Sequence, residues 1–159
     1  MTATAADVPA DRTAHREPDG ASLGFSFGHV GIFDDLEEPL IASAEYRFAA
    51  IGEWELVPAV GVAAVENGAQ FVYADLHYEY RLGEHWVLSP SFGAGRFSGN
   101  DEIDLGHLVE FRSGIEIAWQ SDSGYRVGLV LHHFSNGGIS EHNPGIEELS
   151  LTLHVPLQD

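Results

Sequence analysis

The stretch LHHFSNGGISEHNPGIEELSLTLHVPL, residues 131–157, carries the pattern that decides the fold. It begins like a β-strand, breaks into a loop of Asn, Gly and Pro, and resumes as an alternation of apolar and polar residues. Such an alternation predicts a strand with one apolar and one polar face. His133, Ser135 and Glu147 nevertheless fall on the apolar face. Because an unpaired polar group among apolar side chains costs free energy, their position there needs a reason.

The same period of two continues through the chain from Ser22 onward, with turn residues at fairly even spacing. It predicts eight strands, at about 22–33, 39–49, 53–65, 69–81, 85–98, 106–119, 124–135 and 146–156. Short connections, such as the Asn67-Gly68 hairpin turn, tend to alternate with long ones, as in outer-membrane barrels. We therefore predict an all-β fold: an eight-stranded antiparallel up-and-down β-barrel of outer-membrane type over residues 22–159. Residues 1–21 are predicted to form a flexible polar arm.

The distribution of charges and aromatic residues favours an apolar exterior. Opposite charges share the polar face, and we expect Arg112 and Arg126 to pair inside the barrel with carboxylates such as Glu110, Glu116 or Glu148. The apolar face carries aromatic residues close to strand ends, where membrane interfaces place them: Trp54, Trp86, Trp119 and Tyr125. A soluble lipocalin-like lipid binder, with its apolar face inward, is the alternative that alternation alone leaves open.

Composition limits the function classes. The chain has 159 residues, which fits one domain, and a net charge of −18, and its seven basic residues are all Arg. This balance argues against nucleic acid as a partner and against simple electrostatic adsorption to anionic lipid. There is no Cys, and the nine His show no ligand spacing with a third partner. We therefore expect no metal site and no cofactor.

The three polar residues on the apolar face have the composition of a hydrolytic triad. His133 and Ser135 are two residues apart, so their side chains share a face about 6.5–7 Å apart along the strand. Glu147 begins the next antiparallel strand on the same face, within reach of the imidazole. The set matches a nucleophile, a base and a carboxylate that orients the base. His132 points the other way, and we expect it to hydrogen-bond inside, to Glu148 or Ser150.

The segment HFSNGGISEHNPGIE, residues 133–147, resembles the signature of the lipid A 3-O-deacylase (PagL) family. These are small outer-membrane barrels that remove an ester-linked acyl chain from lipopolysaccharide. The family pattern is His, aromatic, Ser, Asn, small, Gly, a loop containing Pro and Asn, and then Gly-Ile-Glu. The residues that match are His133, Phe134, Ser135, Asn136, Gly137, Gly138, Asn143, Gly145, Ile146 and Glu147. The separation of 14 between His133 and Glu147 also agrees.

The resemblance implies a role for each site residue. Ser135 would be the nucleophile, His133 the base and Glu147 the third triad member, and Asn136 with the main chain at Gly138 would form the oxyanion hole. An amide side chain and a backbone N–H beside the nucleophile are groups that can stabilise an oxyanion. The implied function is a serine esterase in the bacterial outer membrane that hydrolyses the 3-O-linked acyl ester of lipid A.

The sequence leaves open an alternative function and the oligomeric state. A non-catalytic small outer-membrane barrel that keeps the motif for loop packing is the second candidate. Lipid A and outer-membrane lipid are the expected partners, and the sequence does not decide whether the chain forms a homodimer. Since the chain is acidic and lipid A is phosphorylated, we hypothesise that divalent cations bridge the phosphates to loop carboxylates, namely Asp34, Asp35, Glu37 and Glu38.

Overall fold

The computed structural model describes residues 20–33, 38–100 and 102–157, and these residues form a closed antiparallel β-barrel. No helix within these ranges is long and apolar enough to cross a membrane. The strands are β1 (Ser22–Val30), β2 (Leu40–Arg47), β3 (Leu56–Val65), β4 (Gln70–Tyr78), β5 (Tyr80–Leu82), β6 (Trp86–Ser98), β7 (Val109–Gln120), β8 (Arg126–Ser135) and β9 (Ile146–Pro156).

Pairing between chain neighbours builds most of the wall, and the pairs β1–β9 and β4–β6 close the ring. β5 continues β4 along β6 in the same register, so β4 and β5 count as one strand and the barrel has eight strands, as predicted. The interruption between β4 and β5 falls opposite Pro90, which follows from the registers of both segments on β6. Proline has no N–H to donate to the ladder, so the pairing is weakest there.

The predicted strands are confirmed, with shifted ends. The strand expected at 53–65 starts at Leu56, because an Ile51–Leu56 bridge closes a turn in which Glu55 has a φ of 49°. The strand expected at 22–33 ends at Val30, since Gly31 adopts a left-handed φ of 80°. Nearly all of the predicted arm, together with Asp34, Asp35 and Glu37, lies outside the described residues.

The apolar face of each strand points outward. Leu129 is 48% exposed and Leu151 is 62% exposed, while Arg126, His132 and Glu148 on the alternate positions are buried. The aromatic residues predicted for a girdle are exposed as well, and all lie toward the end of the barrel where β1 begins and β9 ends: Trp54, Trp86, Trp119 and Tyr125. The barrel is therefore of the outer-membrane type, and the lipocalin-like arrangement is wrong because it would require these apolar side chains inside.

Charged pairs fill the interior, although their partners differ from those predicted. Arg112 pairs with Asp75 and, at 3.4 Å, with Glu45. Arg126 pairs with Glu79 at 2.5 and 2.7 Å. The expected partners Glu110, Glu116 and Glu148 take no part in these pairs, because inward side chains meet across the lumen, between strands that are not neighbours in the wall. Glu148 is linked to Arg112 through His132, which contacts both. Of those three, Glu116 pairs with Arg47 at 2.9 Å.

The interior becomes apolar toward the other end of the barrel, where β1 ends and β9 begins. Apolar side chains from the strand ends and from the 99–108 connection close the barrel mouth there: Val30, Ile41, Ala63, Val65, Phe71, Phe97, Ile103, Leu105, Phe134 and Ile146. Below this apolar cluster, glycines in β6 allow close packing. A Cβ at Gly93 would lie 2.0 Å from Asp75 Oδ1, and a Cβ at Gly95 would overlap Tyr73. The lumen is packed with side chains, as expected for eight strands.

Substituting Leu129 by Arg tests the outward orientation. Leu129 lies about midway along β8, so an arginine there should lower the free energy of unfolding in lipid vesicles by about 2–4 kcal/mol. Tyr125→Arg, at the girdle, should cost only about 0–1 kcal/mol, because the penalty falls toward the interface. Urea titrations of both variants would measure the two values. Equal costs would contradict a lipid-facing position for Leu129.

Candidate active site

A histidine–carboxylate pair lies on the outer face where β8 ends and β9 begins. His133 and Glu147 are register partners, and His133 Nδ1 lies 2.8 Å from Glu147 Oε1. The side chain of His133 is 48% exposed and that of Glu147 is 25% exposed. When the Nδ1–H is donated to the carboxylate, the free Nε2 lone pair can accept a proton from a hydroxyl group. The pair therefore has the arrangement of a general base that is oriented by a carboxylate.

Ser135 is the last residue of β8 and shares the outer face with His133. Its register partner on β7 is Phe111, which stacks on Phe92 of β6 with ring centroids 5.9 Å apart. Within the described chain, no hydrogen bond joins Ser135 Oγ to His133. Nucleophile–base bonds are often long before a substrate binds, so this spacing is compatible with a triad that closes on the substrate. Its members have the predicted order along one face.

His132 points into the barrel, as predicted from the alternation. Its Nδ1 lies 3.3 Å from Glu148 Oε2 and 3.3 Å from an Arg112 nitrogen. Ser150 donates a hydrogen bond of 2.6 Å to the same glutamate. Two adjacent histidines therefore have different surroundings, one inside a buried polar network and one on the lipid-facing surface.

The connection 136–145 is held by Asn136, which is fully buried. Its Nδ2 donates to the carbonyl oxygens of Leu105, at 2.9 Å, and His142, at 2.8 Å. Its Oδ1 accepts from Gly138 N–H at 3.0 Å. Its own N–H donates to Asn143 Oδ1 at 2.9 Å. The two residues predicted for the oxyanion hole are thus adjacent to Ser135, but their donors already have partners in the unliganded site.

Gly145 contacts the imidazole of His133, a role that the sequence reasoning missed. A Cβ at this position would lie 2.9 Å from His133 Cε1 and 3.6 Å from Nε2, and the residue has a φ of 68°. Any side chain would therefore push against the ring edge next to Nε2. The signal was present in the motif, since Gly145 is one of its matching residues, but only the fold shows which ring it meets.

Gly145→Ala is expected to lower hydrolytic activity by about 10- to 100-fold, because a misplaced base costs that much in well-oriented sites. The control is Gly83→Ala in the turn before β6. Gly83 has a similar φ of 74°, but no atom lies within 4 Å of a Cβ there. Both variants should lose similar stability from backbone strain, measured by urea unfolding. Equal activity in the two variants would show that the contact with His133 does not matter.

The site lies at one edge of the apolar band. Tyr125 in the aromatic girdle and Ser135 are ten residues apart along β8, or about 33 Å along the strand. With the usual barrel tilt of about 40°, this corresponds to a height of about 25 Å, which matches the apolar band of outer-membrane barrels. The girdle marks one interface, so Ser135 lies near the other. An ester at the boundary between acyl chains and headgroups would be at its level.

One buried cluster has the composition of a metal site. Glu45, Asp75 and His77 offer ligand atoms that lie within 4.8 Å of one another inside the barrel. Arg47 pairs with Glu45, and Arg112 pairs with both Asp75 and Glu45. The guanidinium groups therefore already neutralise these carboxylates, and the donor set fits an ion-pair network better than a divalent cation. The cluster faces the lumen, on the opposite side of the barrel wall from the outward-facing Ser135.

Comparisons with known proteins point to one family. The family model described as Lipid A 3-O-deacylase (PagL) matches residues 21–156. The lipid A deacylase PagL of Bordetella bronchiseptica is 32% identical over 77 residues, which is 47% of this chain and 43% of that protein. The lipid A deacylase PagL of Pseudomonas aeruginosa is 31% identical over 72 residues, 44% of this chain and 42% of that protein. The chain thus spans less than half the length of these relatives in each match.

Two solved structures have the same fold. The crystal structure of the outer membrane enzyme PagL has a TM-score of 0.69 and 21% identity, and the match covers 86% of this chain and 99% of that one. The crystal structure of Neisserial surface protein A has a TM-score of 0.60 and 11% identity, with 89% and 100% covered. At these identities the likeness concerns the fold, so any assignment of chemistry depends on the site itself.

Proposed function

The chain belongs to the lipid A 3-O-deacylase (PagL) family, and on that premise we propose that it is an outer-membrane esterase that hydrolyses the 3-O-linked acyl ester of lipid A. One observation carries the proposal above the family match: the 2.8 Å contact between His133 and Glu147, on the outer face and beside Ser135. A polar group on a lipid-facing surface is energetically costly, so its presence there indicates a function. An imidazole there, held by a carboxylate and next to a hydroxyl, has the parts needed for acyl transfer.

The reaction follows from the three side chains. Ser135 Oγ attacks the ester carbonyl while His133 Nε2 takes the hydroxyl proton, and Glu147 stabilises the imidazolium that forms. Collapse of the tetrahedral intermediate breaks the bond to the sugar oxygen, which receives the proton from His133. A water molecule, deprotonated by the same imidazole, then attacks the acyl-enzyme and releases the fatty acid. The ester gains one water in total, and the side chains return to their starting state.

We propose Asn136 and the Gly138 N–H as the donors to the oxyanion. The Gly138 N–H donates a hydrogen bond to Asn136 Oδ1, and the Asn136 side-chain amide N–H groups donate hydrogen bonds to two carbonyl oxygens. One of these hydrogen bonds would therefore have to exchange for a bond to the oxyanion when the substrate binds. The left-handed φ values of Gly137 and Gly138, 63° and 83°, support such a change, since glycine moves through this region at low cost.

The membrane takes the place of a substrate pocket in this proposal. Phe92 and Phe111 form an apolar surface next to Ser135, on which an acyl chain can lie while its ester reaches the hydroxyl. The chain to be removed stays in hydrocarbon, and the sugar stays at the headgroup level. The site level, at the edge of the apolar band, suits an ester at the start of an acyl chain.

The test is mass spectrometry of lipid A before and after incubation with the purified, detergent-folded protein. Loss of one acyl group from the 3 position, with equimolar free fatty acid, is the expected result. The second candidate, a non-catalytic outer-membrane barrel, would leave the lipid A mass unchanged although the protein is folded. Sedimentation of the same sample would answer the open question of a homodimer.

A further inference from the structure

Arg96 is an isolated cation on the outside of the barrel. It is exposed in β6, whereas the other arginines of the described chain, Arg47, Arg81, Arg112 and Arg126, are buried or half-buried. Within the described ranges, no hydrogen bond or ion pair engages its guanidinium, in contrast to the interior arginines. The sequence has no lysine and a net charge of −18. Among the arginines in the described strands, Arg96 alone is exposed on the outer face.

The registers fix the position of Arg96 relative to the nucleophile. Ser135 pairs with Phe111, and Phe111 pairs with Ala94, so these three residues form one row across β8, β7 and β6. Arg96 is two residues beyond Ala94 and pairs with Val109. It therefore lies two strands, or about 10 Å, to the side of Ser135 and about 7 Å farther along β6 than the row that contains Ser135. Both residues are on the outer face.

This position is at the interface and not in the hydrocarbon. Outward positions of β6 run from Trp86 at the girdle through Leu88, Pro90, Phe92 and Ala94 before they reach Arg96. An arginine is costly at the midplane of a bilayer and costs almost nothing near the interface. Arg96 is ten residues from Trp86 at the girdle, as Ser135 is from Tyr125, so it lies at the same edge of the apolar band, where the lipid headgroups begin.

We propose that Arg96 binds a phosphate of lipid A and thereby positions the 3-O ester over Ser135. The proposal rests on the function proposed above and adds a substrate-positioning residue to it. A guanidinium pairs with phosphate through two parallel hydrogen bonds, so it fixes orientation as well as distance. It also explains how a strongly acidic protein holds an anionic lipid: the binding cation belongs to the protein, next to the site.

The test compares lipid A with and without its phosphates as substrates. Both are presented at equal mole fraction in nonionic micelles free of other phospholipid, so that any phosphate effect comes from the substrate itself. Arg96→Gln should lower kcat/KM on phosphorylated lipid A by about 10- to 100-fold, the range expected for a lost charge-assisted hydrogen bond. The same variant should match wild type on the phosphate-free substrate. Arg96→Lys should recover part of the loss.

A shifted charge supplies the matched control. Val72 is the register partner of Arg96 on β4, one strand farther from Ser135, and is 57% exposed. The double variant Arg96→Gln, Val72→Arg keeps the net charge but moves the cation, so it should remain as impaired as Arg96→Gln. Full recovery would overturn the proposal in favour of general charge attraction.

Other outcomes distinguish failure of the role proposed for Arg96 from failure of the proposed esterase function. An active wild type whose Arg96→Gln variant loses equal activity on both substrates would overturn the role of Arg96 alone. A folded wild type that releases no fatty acid from either substrate would overturn the proposed function and, with it, the role of Arg96. Heat-modifiable gel migration shows whether each variant is folded.

Discussion

Ser135→Ala should abolish release of fatty acid from lipid A and leave the barrel folded. The side chain is half-exposed at the end of β8 and engages in no hydrogen bond within the described chain, so its removal should cost little stability. Without the hydroxyl, no acyl-enzyme forms. Triads lose about 10⁴- to 10⁶-fold in kcat when the nucleophile is removed. The measurement is free fatty acid over time, with folding checked by heat-modifiable migration.

The other site variants test the assigned roles. His133→Ala should be as damaging as Ser135→Ala, and the double variant no worse, because the two groups act as a unit. Glu147→Ala should cost less, since the carboxylate orients the base without taking the proton. His132→Ala is the matched control, because it removes the adjacent imidazole from the inner face. Full activity in Ser135→Ala would contradict the serine-esterase assignment. Equal losses of activity from His132→Ala and His133→Ala would contradict the placement of the His132 ring inside the barrel and the His133 ring outside.

Arg112→Leu should lower the free energy of unfolding by about 3–5 kcal/mol, the largest stability loss expected from a single substitution here. The guanidinium pairs with Asp75 and Glu45, and its carbon lies 4.0 Å from the centre of the Tyr73 ring. Its removal leaves two buried carboxylates with one cation fewer. Urea unfolding in detergent micelles measures the loss.

Arg96→Leu is the control for Arg112→Leu. It removes the same group from the outer face, where it has no partner within the described chain, so it should change stability by no more than about 0.5 kcal/mol. If Arg112→Leu also cost less than about 1 kcal/mol, the interior would have to be solvated, because exposed pairs contribute only that much.

The strands and their facing were predictable because they depend on local pattern. The alternation in β8 and β9 places Leu129 and Leu151 outward and His132 and Glu148 inward without any knowledge of the partner strands. The His133–Glu147 contact was predictable for the same reason, since one hairpin sets its register.

The lumen pairs could not be predicted, because they depend on how far the ring of strands is staggered on closure. Arg112 reaches Asp75 on β4 and Glu45 on β2, and neither strand adjoins β7. The hydrogen bonds from Asn136 to Leu105 and His142 likewise depend on two connections that fold together only above the finished barrel. The isolation of Arg96 is visible only after Arg47, Arg81, Arg112 and Arg126, the other arginines that the structure describes, have been placed.

The outward position of His133 and Ser135 has a kinetic consequence. Under the proposed function, a catalytic group on the outer wall meets its substrate by sideways diffusion within a sheet of lipid, and both products leave by the same route. Turnover should therefore follow the mole fraction of substrate in the surface and be insensitive to its bulk molarity. Adding inert detergent at constant substrate would slow the enzyme by surface dilution, while adding buffer would not.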